Sequence, residues 1–432
     1  MPAKIRITDI ERITLDVPFT PRTKPWNELL VGQWRVVEVI RISTDAGITG
    51  YGETLPYYTF GNVRDETIAQ LRGANPAEYL GDDSVGASLQ MALYDVVGKA
   101  LGVPAYHLLP KVFQAPILRP VPELRVRDWV PIAWWNTKMP PEVLAEEAKA
   151  ALAQGYIAHK FKARPWFDVY AQVEAISEVT PPHYKLDMDW NNMLLNAGNA
   201  APVLTELDKY ERVALYESPI MHHDFEGNRL LRHKTTHPIA LHFGDPPFPT
   251  AVREEVCDGF VVHNGVAEIL RKGTLAGAFE KPFFLQMVGT GLTTALMAHV
   301  GAVLPFAQWP AITCMNIWTD DLLVEPLMIR GGYLKVPEAP GLGVEVDESA
   351  LERYRMQPPY RVEIPKTLLS VVWPGGRVMH FANMEQCWTD FWFGKQPVQE
   401  RGVTFEVRPD DGSREWAELY ARAERAPVRD QR

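Results

Sequence analysis

From about residue 129 the chain falls into a rhythm that limits its fold more than any other feature: short apolar runs alternate with amphipathic stretches of helical spacing. Runs of this kind belong in a parallel sheet covered by crossover helices, where strands are buried on both faces. They fall at 130–134, 157–161, 183–188, 214–216, 239–242, 259–263, 283–287 and 312–315. Six polar residues stand at strand ends, Lys162, Asp189, Glu217, His242, His263 and Gln286, spaced 27, 28, 25, 21 and 23 residues apart. A barrel of ~250 residues in eight units gives ~31 residues per unit, so each step fits one slightly compact βα unit. The predicted class is α/β, a (β/α) TIM-type barrel over residues 129–330.

The flanks read differently. Residues 1–128 form an α+β capping domain, with alternating strands at 5–17 and 34–43 and a turn at Asp45-Ala46-Gly47. A helix runs through Leu89, Leu93, Val96 and Val97 until Gly102 and Pro104 stop it. Residues 331–359 return to pack on the capping domain. Residues 360–432 read as a β-rich C-terminal extension, with strands at 361–364, 368–373 and 403–407 and a turn at Gly375-Gly376.

Composition removes several classes of function. Hydrophobic residues at 46% and charged residues at 23% describe an ordinary globular chain. A net charge of −10 argues against a nucleic-acid surface. No run approaches the ~20 apolar residues of a membrane span, and the alternating N-terminus lacks the apolar core of a signal peptide. Cys257, Cys314 and Cys387 form no CxxC pair, so neither a zinc ribbon nor a disulfide framework is expected, and a reduced, cytoplasmic setting is.

In a barrel, groups at the C-terminal strand ends converge on one mouth. Asp189 in LDMDWNN and Glu217 in ALYESP sit at adjacent ends and suit a hard divalent cation. The other reading is that each caps the next helix or pairs with a lysine. Lys160 and Lys162, separated by Phe161, point the same way because side chains alternate along a strand. Facing inward, they would depress each other's pKa toward that of a general base; facing outward, they are a solvated basic end.

Lys160-Phe161-Lys162, Asp189-Trp190-Asn191 and Glu217-Ser218-Pro219, in this order, resemble the enolase superfamily, and most closely its mandelate racemase and muconate-lactonizing branches. Gly50-Tyr51-Gly52-Glu53, the stretch from Met91 to Pro104 and the stretch from Gly331 to Glu348 agree, so the similarity spans roughly residues 5 to 355. The resemblance implies that Asp189 and Glu217 ligate Mg²⁺, with Mn²⁺ as substitute. It further implies that Lys162 is the base, with Lys160 beside it touching the substrate carboxylate. Such chemistry removes the proton α to a carboxylate, and electrostatic stabilisation of the developing enediolate makes it feasible. The handling of such protons by a Lys or His base beside Mg²⁺ is a known pattern of this superfamily. Homo-oligomers and a small-molecule carboxylate substrate are also implied.

The pattern breaks on the fifth strand, where the family carries an acid and this chain reads PIALHFGDPP. The third ligand is His242, or Asp245 reached through a kink at Gly244, or absent. His263 on the sixth strand is either the second acid/base or a structural histidine. Gln286 occupies the seventh-strand position of a catalytic histidine, so a His–Asp dyad is missing. With Asn191, it faces substrate. Loops 18–31 and 55–60, carrying Trp26, Tyr57, Tyr58 and Phe60, either select the substrate or seal a domain interface. Dehydration of a sugar acid or hydroxy acid is the first expectation. Racemisation, epimerisation or cycloisomerisation is the second, and a catalytically silent acid-binding barrel the third.

Overall fold

The computed structural model describes residues 5–59, 62–110 and 125–431; Phe60 lies outside these. The chain divides into two compact units. One comprises residues 1–20, 33–135 and 259–362, the other 21–32, 136–258 and 363–432.

The first unit contains a three-stranded antiparallel sheet of Ile7–Asp16, Val36–Thr44 and Thr49–Thr54. Its apolar alternation buries Ile10, Ile40 and Ile42 against Leu89, Leu93, Val96 and Val97 of the helix Ala87–Leu101. The helix lies very close to the sheet because Gly50 and Gly52 have no side chain: a Cβ at Gly52 would stand 2.0 Å from the Ser88 carbonyl oxygen. Gly102 ends the helix in the left-handed region at φ 68°. Glu53, next in the same strand, is buried with its carboxylate on the N-terminal turn of the helix Gly291–Val303, accepting from the Thr290 hydroxyl and, at 2.7 Å, from the Thr293 N–H. The GYGE motif is thus an architectural device. A parallel pair, Gly259–Val262 and Phe283–Leu285, belongs to this unit as well.

In the second unit the expected rhythm is present as four neighbouring parallel strands: Ala158–Lys162, Lys185–Asp189, Val213–Glu217 and Ile239–His242. The helices Val169–Val179, Ala197–Leu207 and Phe225–Lys234 follow the first three. Each is capped by a residue ahead of its first turn, Asp168, Asn196 and Asp224 respectively, whose side-chain oxygen accepts from backbone N–H groups. Asp189 and Glu217 are therefore not caps.

The C-terminal extension, from residue 363 on, also belongs to the second unit. Its antiparallel sheet runs in the order Thr404–Pro409, Thr367–Val372, Arg377–Phe381, Val428–Gln431. It carries two helices the strand pattern did not announce, Met384–Trp392 and Arg414–Arg425. Leu369, Val371, Phe381, Phe391 and Phe405 from the extension close a hydrophobic cluster on Trp166, Phe167 and Met193, which lie just past the ends of the barrel-type strands.

Two expected strands are corrected. Residues 361–364 are irregular, between Pro359 and Pro365, neither of which has an N–H to offer a ladder. At 312–315 only Ile312 forms a bridge, to Gln286, before Cys314 turns left-handed at φ 61° and a short 3₁₀ turn, Met315–Ile317, follows. Among the described residues no helix is long and apolar enough to cross a membrane.

Candidate active site

Strand alternation sets the site. In Ala158–Lys162, His159 and Phe161 face one way and are fully buried, while Lys160 and Lys162 face the other. Parallel register then places Lys162 beside Asp189, and Asp189 beside Glu217. Lys162 donates to Asp189 Oδ2 and Lys160 donates to Glu217 Oε2, with Lys160 Nζ also 3.6 Å from Asp189 Oδ2. Lys160, Asp189 and Glu217 are essentially inaccessible, but Lys162 keeps 21% of its side chain exposed. One lysine is locked into the floor, and the other stands at the opening.

The charges tune one another. For Asp189, burial opposes ionisation, but Lys162, Lys160 and Arg164 outweigh it and hold the carboxyl below its ordinary range. For Lys160, burial also opposes the charge, and Glu217, Asp189 and Asp187 outweigh it, raising the ammonium above its ordinary value. For Lys160 this is opposite to the depression expected from a neighbouring lysine. The adjacent carboxylates dominate, so Lys160 is a fixed cation. Asp187, deeper in the same strand, is pushed up by burial, and its Oδ1 has no hydrogen-bond partner.

His242 Nε2 lies 3.3 Å from Glu217 Oε1, a buried atom that accepts no hydrogen bond. Asp245 is 72% exposed and turned to His222, its Oδ2 3.0 Å from His222 Nδ1. His222 Nε2 lies 2.8 Å from the Ser218 hydroxyl oxygen. Because a carboxylate only accepts, the neutral ring carries its proton on Nδ1 and accepts from Ser218 at Nε2. Burial holds His222 below its ordinary value, which agrees with a neutral ring. Sequence reading missed His222 and Ser218. The signal was Ser218 with a histidine four residues on.

Two further groups escaped notice. Arg164 continues the lysine alternation (160, 162, 164) and is 1% exposed. It donates to the Asp189 carbonyl at 2.8 Å and to the Asn191 side chain, while its Nε has no partner. Asn191, at φ 44°, also donates its N–H to Asp189 Oδ1 at 3.0 Å, so it braces the first acid. Lys138, past the strand Trp134–Asn136, is 8% exposed, its Nζ 5.1 Å from the centre of the Trp388 ring. The Arg164 guanidinium lies 5.5 Å from the centre of that same ring. Burial, then Arg164 and Lys162, holds Lys138 well below the ordinary lysine range. A cation–π contact contributes about 0.5–2 kcal/mol, less than the several kcal/mol that burying an ammonium costs. Lys138 is therefore poorly satisfied.

The remaining expected residues have contacts of their own. Trp26 packs edge-on to Phe167 at 6.2 Å within the hydrophobic cluster of the second unit, a structural position. In the first unit, half-buried His263 has Nδ1 2.6 Å from Asn264 Oδ1 and its carbonyl held by Lys272. Gln286 donates to the Tyr58 hydroxyl at 3.3 Å. Tyr57 is 46% exposed and donates to the Tyr360 carbonyl at 2.6 Å.

A divalent cation suits this chemistry in part. Two buried carboxylates and an imidazole, one carboxylate oxygen lacking any donor, form an oxygen-rich set open to one nitrogen ligand. Among the described residues, no three His, Cys, Asp or Glu side chains are already gathered as a cation cage. The lysine ammonium groups stand on the carboxylates instead.

Comparison with known proteins gives the geometry its lineage. Residues 143–350 match the family described as "Enolase C-terminal domain-like"; the extension lies beyond that match. D-xylonate dehydratase of Haloferax volcanii is 26% identical over 368 residues, covering 74% of this chain and 85% of that protein. N-succinyl-L-Arg/Lys racemase of Bacillus cereus is 22% identical over 347 residues, covering 73% and 89%. The crystal structure of muconate cycloisomerase from Pseudomonas fluorescens superposes with a TM-score of 0.61 at 23% identity, covering 82% of this chain and 99% of that one. By its TIM-barrel class, its match to that family over residues 143–350 and these relatives, the chain is similar to enzymes of the enolase superfamily, in the mandelate racemase/muconate-lactonizing group.

Proposed function

We propose that the protein removes the proton α to the carboxylate of a small organic acid, and that its reaction is the dehydration of a sugar acid or related hydroxy acid. The observation that carries this is the set of Lys160, Lys162, Asp189 and Glu217 on three adjacent strand ends, with only Lys162 open to a ligand. Lys162 is the base: once its ammonium is displaced from Asp189 and deprotonated, the amine takes the α-proton at Nζ. Lys160, fixed as a cation, offers charge to the substrate carboxylate. Asp189, Glu217 and His242 would hold Mg²⁺, with Mn²⁺ as substitute, and Asp245 acts at one remove by orienting His222. A bound divalent cation would supply Lewis-acid stabilisation of the negative charge that develops on the carboxylate oxygens. Loss of the β-hydroxyl as water then gives an enol that tautomerises to a 2-keto-3-deoxy acid. His263 is proposed as the acid that protonates the departing hydroxyl, and Gln286 and Asn191 as substrate contacts.

Names among the relatives favour this reading: dehydratases of D-xylonate, D-gluconate, arabinonate and D-galactonate appear among them. The racemase and cycloisomerase relatives support the second reading, acid/base exchange at one carbon without loss of water. A cytoplasmic homo-oligomer acting on a small carboxylate, without nucleic-acid or membrane partners, is the setting we infer. The test is a panel of sugar acids incubated with protein and Mg²⁺, followed by proton NMR. New 2-keto-3-deoxy products support dehydration. Inversion or cyclisation without water loss supports the second reading, and no change in any acid would leave only acid binding.

A further inference from the structure

The extension that lies outside the family match has a place in the site. Its helix Met384–Trp392 sets Trp388 over two basic side chains, Lys138 at 5.1 Å and Arg164 at 5.5 Å from the ring centre. The same helix is anchored: Phe391 and Trp388 both meet Trp166 edge-on, at 6.4 and 6.0 Å. Near these groups the carboxylates are already engaged, Glu217 by Lys160 and Asp189 by Lys162. Among the described residues neither Lys138 nor Arg164 forms an ion pair. Arg164 Nε is buried with no hydrogen-bond partner, while the rest of its guanidinium donates to the Ala163 and Asp189 carbonyls and the Asn191 side chain; Lys138 Nζ stands 5.1 Å from the centre of the indole ring. Two buried basic groups beside one aromatic plane, with no anion of their own, match the chemistry of an anionic ligand group lying against a ring.

We propose that Lys138, Arg164 and Trp388 form a second anion subsite, which takes an anionic group of the substrate remote from the carboxylate whose α-proton is removed. The substrate class is then an acid with two anionic ends, the far end a carboxylate or a phosphate. The inference rests on the reading of Lys162 as the base, because that places the first carboxylate. It also gives the extension its role: it lends Trp388 to the site and sets which acids are accepted.

Binding rather than turnover tests it. Calorimetric titration of the full chain with Mg²⁺ would compare glutarate with butyrate, and 3-phosphoglycerate with glycerate. The expected result is that at least one dianion binds about tenfold or more tightly than its monoanionic counterpart. Whichever pair shows the preference identifies the far group as carboxylate or phosphate. Lys138→Met, which keeps the chain length and removes the ammonium, should abolish the preference while leaving monoanion affinity within about twofold. Trp388→Phe should weaken it, and circular dichroism would verify folding of both. Equal affinities in the unaltered protein, or a preference that survives Lys138→Met in a folded variant, would overturn the subsite. A dianion preference without any α-proton exchange would keep the subsite and sink the catalytic reading, so the two fail separately.

Discussion

At the scale of single residues, the outward face of the lysine strand matters as much as the inward one. His159 is buried there, its Nε2–H donating to Asn136 Oδ1 at 2.7 Å. Asn136 donates in turn to Glu147, which also accepts from Arg22 at 2.8 Å. Burial pushes His159 down to about 3. Its pKa in the fold is lower than in the unfolded chain, so between about 6.5 and 3 the unfolded chain binds more protons. The contribution is complete above pH 6.5 and lost as pH falls through that window, by up to about 1.4 kcal/mol per pH unit. Urea midpoints measured from pH 7 to pH 4 should fall steeply, and His159→Gln should flatten that slope. An unchanged slope in the variant would show that His159 does not carry it.

The lysine pair itself was legible in the sequence, because strand alternation alone puts Lys160 and Lys162 on one face. Their charges were not, because these depend on which neighbours the parallel register delivers. Asp189 and Glu217 arrive from separate strands and reverse the sign of the shift expected for Lys160. Arg164 obeyed the same alternation two residues on and was overlooked.

At the scale of elements, close approach of helix to sheet in the capping region hangs on small residues. A Cβ at Gly52 would stand 2.0 Å from the Ser88 oxygen and 2.6 Å from the Ala92 nitrogen. Both are backbone atoms and cannot rotate away, so the helix Ala87–Leu101 would have to shift. Gly52→Ala should cost about 1–3 kcal/mol, read as a lower thermal midpoint. Gly47→Ala, where no atom lies within 4 Å, should show only the strain of φ 72°. Equal losses at the two positions would contradict this packing. Helix existence was readable from apolar spacing and the Gly102 stop. The helices of the extension were less so: Met384–Trp392 presents Cys387, Asp390 and Phe391 to the interior, a mixed face that hides the helical period.

At the scale of the whole molecule, an acidic chain of net charge −10 carries a locally basic site. Lys138, Lys160, Lys162 and Arg164 stand near Asp189 and Glu217, which is why the global charge argues against a nucleic-acid surface without arguing against an anionic metabolite. The barrel class was legible because its period repeats many times. The placing of the extension was not, since residues 138, 164 and 388 meet only in three dimensions. Phe405 shows how firmly the extension is held, its ring 5.4 Å from Phe167 and 6.3 Å from both Trp26 and Trp166. Phe405→Ala should cost about 3–5 kcal/mol, visible as an earlier unfolding transition. A transition that does not move would mean the extension is only loosely attached.

In the proposed reaction Lys162 removes an α-proton with the help of a divalent cation near Asp189 and Glu217. Its most direct test is deuterium uptake at the α-carbon of an accepted acid in D₂O, followed by proton NMR. Exchange is expected in the unaltered protein with Mg²⁺, none after chelation, and a loss of about 10³-fold or more in Lys162→Ala, whose acid–base contribution is removed. Exchange that persists in a folded Lys162→Ala protein, or that ignores chelation, would contradict it.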